Sequence, residues 1–190
     1  MMPDHDHGDA PGEAMPVEVL GLQVEPSTGL SIVLLGRLEA SDRVLPIFIG
    51  PTEAQAIGFA LADVELPRPT THDLFVAAMD AAGAEVSDLA IVAMAERTFI
   101  AELGLHTEHG DRRIDARPSD GLALALRVDA PVTVRREVFD AASVAIMQDP
   151  SQPFTDDEID RITQEFRSFI DSADPDDFAD GPDERGDGDV

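Results

Sequence analysis

Hydrophobic positions in the first quarter of the chain fall into short runs of strand length, separated by glycine, serine and aspartate. The first run alternates apolar and polar positions, and the next two are rich in Val, Ile and Leu. Alternation, or a short β-branched run, is typical of a β-strand, whereas an amphipathic helix repeats its apolar positions every three to four residues. The pattern predicts a meander of three strands over residues 17–24, 30–38 and 44–49.

Helical spacing begins directly after the third strand. Pro51 suits the first position of a helix, and Ala54, Ile57 and Leu61 then share one apolar face. The same signals predict, in order, a second helix over residues 72–82 capped by Thr70 or Thr71, strands over 84–94, 98–106 and 112–116, a helix from Pro118 to Arg127 capped by Ser119, a strand over 131–134 and a closing helix over 137–147.

The pattern changes beyond residue 149. Thr155 to Glu158 forms a capping box, and it opens an amphipathic helix with Ile159, Ile162 and Phe166 on one face. This helix would dock on the domain or on a partner. The residues that follow are mostly Asp, Gly, Pro and Ser, a composition typical of disorder.

The predicted fold class is α+β: one compact domain of antiparallel and mixed strands with three to four short helices. The predicted organisation is a disordered acidic leader over residues 1–15, the domain over 16–148, a linker and amphipathic helix over 149–171, and a disordered acidic tail over 172–190.

Residue types narrow the available chemistry. The chain has no cysteine, which excludes disulfides, thiolate nucleophiles and cysteine-ligated zinc. It has no apolar run of about 18 residues and no signal-peptide pattern at its start, so we expect a cytoplasmic protein that does not enter the membrane. The usual patterns of P-loop, dinucleotide-binding, α/β-hydrolase and zinc-protease sites are absent.

Charge is strongly negative and unevenly distributed. The net charge is −26, and all 13 basic residues are arginines. Residues 1–15 carry −4, residues 16–148 carry −10 and residues 149–190 carry −12. Such a field repels nucleic acid, which binds through basic patches, although abundant acids also simply keep a protein soluble. Removing the residues after Gln148 is therefore expected to tighten any binding of nucleic acid.

Polar side chains are concentrated at three junctions where a strand or loop leads into a helix. These junctions are residues 50–53, 68–73 and 115–120. The last two both contain Arg-Pro, then a hydroxyl residue and an aspartate within the first helical turn. Proline holds the preceding arginine extended, and a helix start presents free N–H groups. Arg68 with Thr71, and Arg117 with Ser119, are therefore candidates to bind phosphate. The alternative is ordinary helix capping, with the arginines paired to nearby acids.

Histidine and acidic side chains in the same junctions are candidates for catalysis. His72 is followed directly by Asp73 and is a candidate general base. Asp115 and Asp120, joined by Glu53 or Asp73, would form an oxygen-rich site suited to Mg²⁺ or Mn²⁺. The alternative is that each is a solvated surface carboxylate. The candidate catalytic residues are His72, Asp73, Asp115 and Asp120, and the candidate metal ligands are Asp115, Asp120 and Glu53.

The three junctions, in this order and spacing, closely resemble the bifunctional nuclease family. The segments that carry the resemblance are LPIFIGPTEA over residues 45–54, RPTTHDL over 68–74 and DARPSD over 115–120. The match extends over about residues 16–147, including the hairpin regions between the motifs. One departure is Gly121, where the family usually has alanine.

The resemblance implies an α+β domain that self-associates into homo-oligomers, and a nuclease activity reported on RNA and DNA in plant members. The first hypothesis is a metal-assisted phosphodiesterase in which Asp115, Asp120 and Glu53 hold a divalent ion and His72 activates water, while arginines bind the phosphate. The alternative is a non-catalytic oligomeric regulator or a module that binds a small anion. The acidity of the chain favours this alternative.

Overall fold

The computed structural model describes residues 12–24, 29–37, 42–95, 97–147 and 154–172. These residues form eight strands and five helices, which confirms the predicted α+β class. In chain order they are β1 (Ala14–Val24), β2 (Ser31–Gly36), β3 (Arg43–Ile49), α1 (Pro51–Leu61), α2 (Thr71–Ala81), β4 (Ala84–Ala95), β5 (Thr98–Thr107), β6 (Arg112–Ala116), α3 (Pro118–Ala125), β7 (Val132–Arg135), α4 (Arg136–Ala142), β8 (Val144–Ala145) and α5 (Asp156–Ser172). Disorder was predicted for residues 1–15 and 172–190; of these, 1–11 and 173–190 lie outside the described residues, and Ser172 is the last residue of α5.

The described strands form one mixed sheet in the order β6-β5-β4-β7-β1-β2-β3-β8. Neighbouring strands are antiparallel except β4 and β7, which run parallel. A parallel pair needs a crossover, and the chain makes it through β5, β6 and α3. Strand β1 pairs first with β7 and then with β2, so it joins the two predicted meanders into one sheet.

Strand β2 lies at the centre of the core. Ile32, Val33, Leu34 and Leu35 are all 0% exposed, so side chains on both faces of this strand are covered. This explains why its sequence is a continuous apolar run without alternation. Ordered structure also begins earlier than predicted, because β1 starts at Ala14 and Met15 is buried.

The closing helix predicted over residues 137–147 is shorter, because α4 ends at Ala142 and the short strand β8 follows. Ser143 is extended, and Arg43 fixes it by donating from Nε to the Ser143 hydroxyl over 2.8 Å and from Nη2 to the Ser143 carbonyl. Val144 then pairs with Val44 of β3. These tertiary contacts outweigh the local helical pattern.

Helix α5 docks on the domain, which is one of the two placements expected for it. Phe166 is 3% exposed. The centroid of its ring lies 5.6 Å from that of Phe48 and 6.0 Å from that of Phe99. The carboxylate of Glu158 accepts a hydrogen bond of 2.8 Å from the Met147 N–H. The helix therefore belongs to the same core as the sheet.

Among the described residues, no helix is both long enough and apolar enough to cross a membrane.

Helix α3 approaches β4 closely through Gly121. A Cβ atom added at this position would lie 2.3 Å from Cδ1 of Leu89, a side chain that is 0% exposed. We expect Gly121→Ala to lower the free energy of unfolding by about 1 kcal/mol, because overpacking costs about 1–3 kcal/mol and exceeds the gain in helix propensity. Urea denaturation measures the change.

Gly58 in α1 provides the matched control. A Cβ there would meet only Cδ2 of Leu22, at an ordinary 3.4 Å. Gly58→Ala should therefore raise stability by about 1 kcal/mol through helix propensity alone. Equal gains from both substitutions would contradict the close approach of α3 to β4.

Candidate functional site

The starts of α1 and α3 meet through the guanidinium of Arg117. Its Nε and Nη2 donate to the two carboxylate oxygens of Asp120 over 2.7 and 3.1 Å. The same Nη2 lies 3.0 Å from Oε1 of Glu53. These contacts raise the pKa of Arg117, first through the hydrogen bonds with Asp120 and then through the charges of Asp120 and Glu53. Arg117 nonetheless keeps 64% of its side chain exposed, so its outer edge faces solvent.

The start of α2 reaches the same place through His72. Its Nε2 lies 3.8 Å from Oδ1 of Asp120, and only 19% of the His72 side chain is exposed. Two of the three junctions, together with Glu53 from the third, are thus brought together in space. We call Glu53, His72, Arg117 and Asp120 the junction cluster.

Local sequence explains how α3 presents this cluster. Pro118 occupies the first position of the helix, where its missing N–H costs nothing, and it holds Arg117 extended as the N-cap residue. Asp120 falls in the first turn, where a carboxylate is favoured by the positive end of the helix. Ser119 is therefore a helical residue, 7% exposed, and not the cap that its type predicted.

Asp73 caps α2 and pairs with Arg127, and the catalytic role predicted for it stays a prediction. One carboxylate oxygen accepts hydrogen bonds of 2.7 Å from both the N–H and the hydroxyl of Thr70, forming the cap of α2. The other accepts a bond of 2.6 Å from Nε of Arg127. The hydrogen bond from Arg127, then those from Thr70, lower the pKa of Asp73 to about 2. The two oxygens therefore hold the start of α2 and Arg127 in place.

Arg127 is the important residue that the sequence pattern did not single out. Its side chain is 10% exposed, and its Nη1 donates to the carbonyls of Ala56 in α1 and Ala123 in α3 over 3.0 and 2.6 Å. Arg127 also pairs with Asp73 of α2, so its side chain contacts all three helices that supply the junction cluster. The sequence signal for this role is an arginine at the end of an otherwise apolar helix. If such a charge is buried, it needs a carboxylate partner.

Acid should weaken the ion pair between Asp73 and Arg127. The pKa of Asp73 in the folded protein lies below its ordinary value of 3.8, so its contribution to stability is present above about pH 4 and is lost as pH falls towards 2. We expect Asp73→Asn to lower stability at pH 5, and the gap to the unmodified protein to shrink at pH 2.5, as measured by urea denaturation. Asp80→Asn, an exposed position in the same helix, is the control. A gap that stays constant with pH would refute the role given to Asp73.

Asp115 lies apart from the junction cluster. Its neighbour Ile114 pairs with Leu103, which pairs with Leu89 beneath α3. Successive side chains of a strand point to opposite faces, so Asp115 projects from the face of the sheet away from Asp120. The prediction that Asp115 and Asp120 lie together in one site is therefore wrong.

The remaining candidates flank the cluster. Arg68 and Thr71 are exposed beside the start of α2, and within the described ranges Arg68 makes no ion pair. Ser119 lines the cleft next to the cluster.

The predicted metal ligands do not form a ready site. No three of the His, Asp and Glu side chains in the described residues are grouped as a metal ion requires. Glu53 and Asp120 both contact Arg117, and Asp115 lies on the other face of the sheet. A divalent ion would have to displace the guanidinium to use both carboxylates.

A cleft of about 460 Å³ opens beside the junction cluster. Its lining includes Glu53, Arg117 and Ser119, together with Phe166 and Arg167 of α5. The cluster therefore adjoins a volume large enough for a small organic ligand.

Comparison with known proteins gives the family. The model of the bifunctional nuclease domain matches residues 33–147. An uncharacterized protein of Mycobacterium tuberculosis is 38% identical over 164 residues, 85% of this chain and 96% of that protein. Bifunctional nuclease 1 of Oryza sativa subsp. japonica is 26% identical over 122 residues, 62% of this chain and 36% of that protein. Bifunctional nuclease 2 of the same plant is 28% identical over 122 residues. The chain therefore belongs to the bifunctional nuclease domain family.

Proposed function

We propose that the protein is a nuclease that hydrolyses phosphodiester bonds of RNA and DNA at the junction cluster. The observation that carries the proposal is the guanidinium of Arg117 at the start of α3. Asp120 orients it, its side chain is 64% exposed, and His72 lies 3.8 Å from the same aspartate. An anion-binding fork and a candidate general base thus share one carboxylate. Membership of the bifunctional nuclease family gives the reaction class at family level.

Arg117 would bind the scissile phosphate. The edge of the Arg117 guanidinium that faces solvent would donate to a phosphate oxygen, and the N-terminal end of α3 adds a favourable potential. In the transition state, charge on the phosphoryl oxygens grows, so the interaction with Arg117 strengthens. Arg68, exposed beside the start of α2, would contact a neighbouring phosphate of the strand.

His72 would act as the general base. A ring nitrogen takes a proton from water, the water oxygen bonds to phosphorus, and one bridging P–O bond breaks, so that the departing strand leaves as an alcohol after protonation. Asp120 would orient the imidazole, as a carboxylate partner does in other histidine bases. Glu53 would hold Arg117 in place.

The described carboxylates do not fit a ready-made site, so no step in this scheme depends on a metal. Self-association likewise stays a prediction, because the structure contains a single chain.

The alternative function is a non-catalytic regulator or a module that binds a small anion at the same fork. The net charge of −26 favours it, since this field opposes a long polyanion far more than a single small ion.

Cleavage of labelled substrates distinguishes the nuclease from the non-catalytic alternative. The purified full chain is incubated with end-labelled single-stranded RNA and DNA in Mg²⁺, in Mn²⁺ and in EDTA, with calorimetric titration of inorganic phosphate alongside. Our proposal expects shortened products from both substrates. Phosphate binding without products under any of the three conditions would establish the alternative instead.

A further inference from the structure

Strand β6 forms an edge of the sheet. Among the described strands its neighbour is β5 on one side, and no strand adjoins its other side. Residues 112–115 are exposed, and Ile114, which lies on the face that carries α3, is 44% exposed. An edge strand presents N–H and C=O groups that can pair with a further strand. The outer side of β6 is therefore open to one.

The order of side chains along β6 is complementary to itself. When two β6 strands pair antiparallel about Ile114, Arg113 of each copy lies opposite Asp115 of the other, and the two Ile114 side chains adjoin. In a parallel pair in register, arginine would lie beside arginine. Charged side chains on an edge normally oppose pairing, but here they oppose the parallel register and favour the antiparallel one. The strand that fits this edge is therefore a second copy of β6.

The charges of a single chain are unbalanced at this edge. Asp115 lies opposite Glu102 of β5, so two acids adjoin on the face of the sheet away from α3. Like charges directly opposite each other destabilise a strand pair. Arg113 of a second copy would adjoin Asp115 on its other side and offset this repulsion. Arg113 lies 2.5 Å from Asp88 of its own chain but keeps 49% of its side chain exposed, so it is accessible to a partner.

We propose that two copies of the chain associate through β6, in the antiparallel register centred on Ile114. The two-fold axis of this pair runs perpendicular to the sheet, so the two sheets are continuous and both junction clusters lie on the same side. Each cluster is complete within its own chain, so pairing leaves the chemistry of each site unchanged. The inference is independent of the nuclease function proposed above.

The association is expected to be weak. Strand β6 has five residues, and their pairing buries less than the roughly 1,200 Å² at which stable interfaces begin. The net charge of −26 on each copy also opposes contact. Dimers should therefore form at micromolar or higher concentrations and dissociate on dilution.

Opposite charge substitutions test the register on the full chain. Sedimentation equilibrium from micromolar to submillimolar concentrations measures the dimer. Arg113→Asp opposes acid to acid and Asp115→Arg opposes arginine to arginine, so each variant alone should associate about tenfold more weakly or worse. An equimolar mixture of the two should form heterodimers, because both opposed pairs are then complementary. A mixture that stays monomeric where the unmodified chain dimerises would overturn the proposal.

A matched control separates the register from the total charge. Arg136 of α4 is exposed and pairs with Glu13, so Arg136→Asp makes the same change of charge away from β6 and should dimerise like the unmodified chain. Circular dichroism checks that each variant is folded. Asp115→Arg also removes the repulsion with Glu102, so it should fold and decides the test if Arg113→Asp does not. Dimers that persist undiminished in the folded variants, or an unmodified chain that is monomeric at every concentration, would also overturn the proposal.

Discussion

A chain that ends at Gln148 is expected to unfold, whereas a chain that ends at Ser172 is expected to stay folded. The first truncation removes α5 and with it four buried side chains, Phe154, Ile159, Ile162 and Phe166, each at most 7% exposed. Burial of one such side chain contributes about 1.5–3 kcal/mol, so the loss is roughly 6–12 kcal/mol. Typical domains are stable by about 5–15 kcal/mol in total.

This result revises the expectation drawn from charge alone. Removing everything after Gln148 would not simply tighten the binding of nucleic acid, because the domain would lose part of its core. Ending the chain at Ser172 removes only residues 173–190, which carry eight acids and one arginine, a net charge of −7.

The shorter truncation should bind single-stranded RNA several-fold more tightly at low salt, with the difference fading at high salt. Circular dichroism with thermal melting measures folding, and anisotropy measures binding. A full-length chain with its tail acids replaced by amides is the control for length. A cooperative melt of the chain ending at Gln148, matching that of the full chain, would contradict the docking of α5.

Replacing His72 with alanine should lower the rate of phosphodiester cleavage by about 10²–10⁴-fold, the range that a positioned general base contributes. Affinity for the substrate should change little, because the phosphate contacts assigned to Arg117 remain. Single-turnover kinetics on a labelled single-stranded RNA separates the two effects.

The chain offers a matched control in a second histidine–aspartate pair. Nδ1 of His106 lies 2.8 Å from Oδ1 of Asp111, and the His106 side chain is 70% exposed at the β5–β6 hairpin. His106→Ala removes the same type of group away from the cleft, so its rate should match that of the unmodified protein. Comparable losses in both variants would mean that position within the junction cluster does not matter.

Most of the fold could be predicted from local patterns. Strand β6 was predicted with its observed bounds, because alternation and the preceding turn are both encoded within a few residues. The end of α4 was missed because it depends on Arg43, a hundred residues away from Ser143. Local periodicity carries no information about such a contact.

The sequence predicted which residues belong to the candidate site better than it predicted how they are arranged in space. The junction motifs identified His72, Arg117 and Asp120, but their approach depends on how α2 and α3 pack. Asp73 and Asp120 occupy equivalent positions in two similar motifs, yet Asp73 accepts hydrogen bonds from Thr70 and Arg127, whereas Asp120 accepts them from Arg117 and lies 3.8 Å from His72. Only the tertiary partners distinguish these two carboxylates.

The central claim is that Arg117 holds the phosphate that is cut, and the most direct measurement compares two arginines of the same segment. Arg117→Ala should lower kcat/KM for single-stranded RNA by about 10²–10³-fold, with Arg117→Lys intermediate because it keeps the charge and loses the fork. Arg113→Ala removes an arginine that is also ion-paired, 2.5 Å from Asp88 on the sheet, and should leave kcat/KM unchanged. If folded Arg117→Ala cleaves RNA as fast as Arg113→Ala, the phosphate is bound elsewhere and the account is wrong.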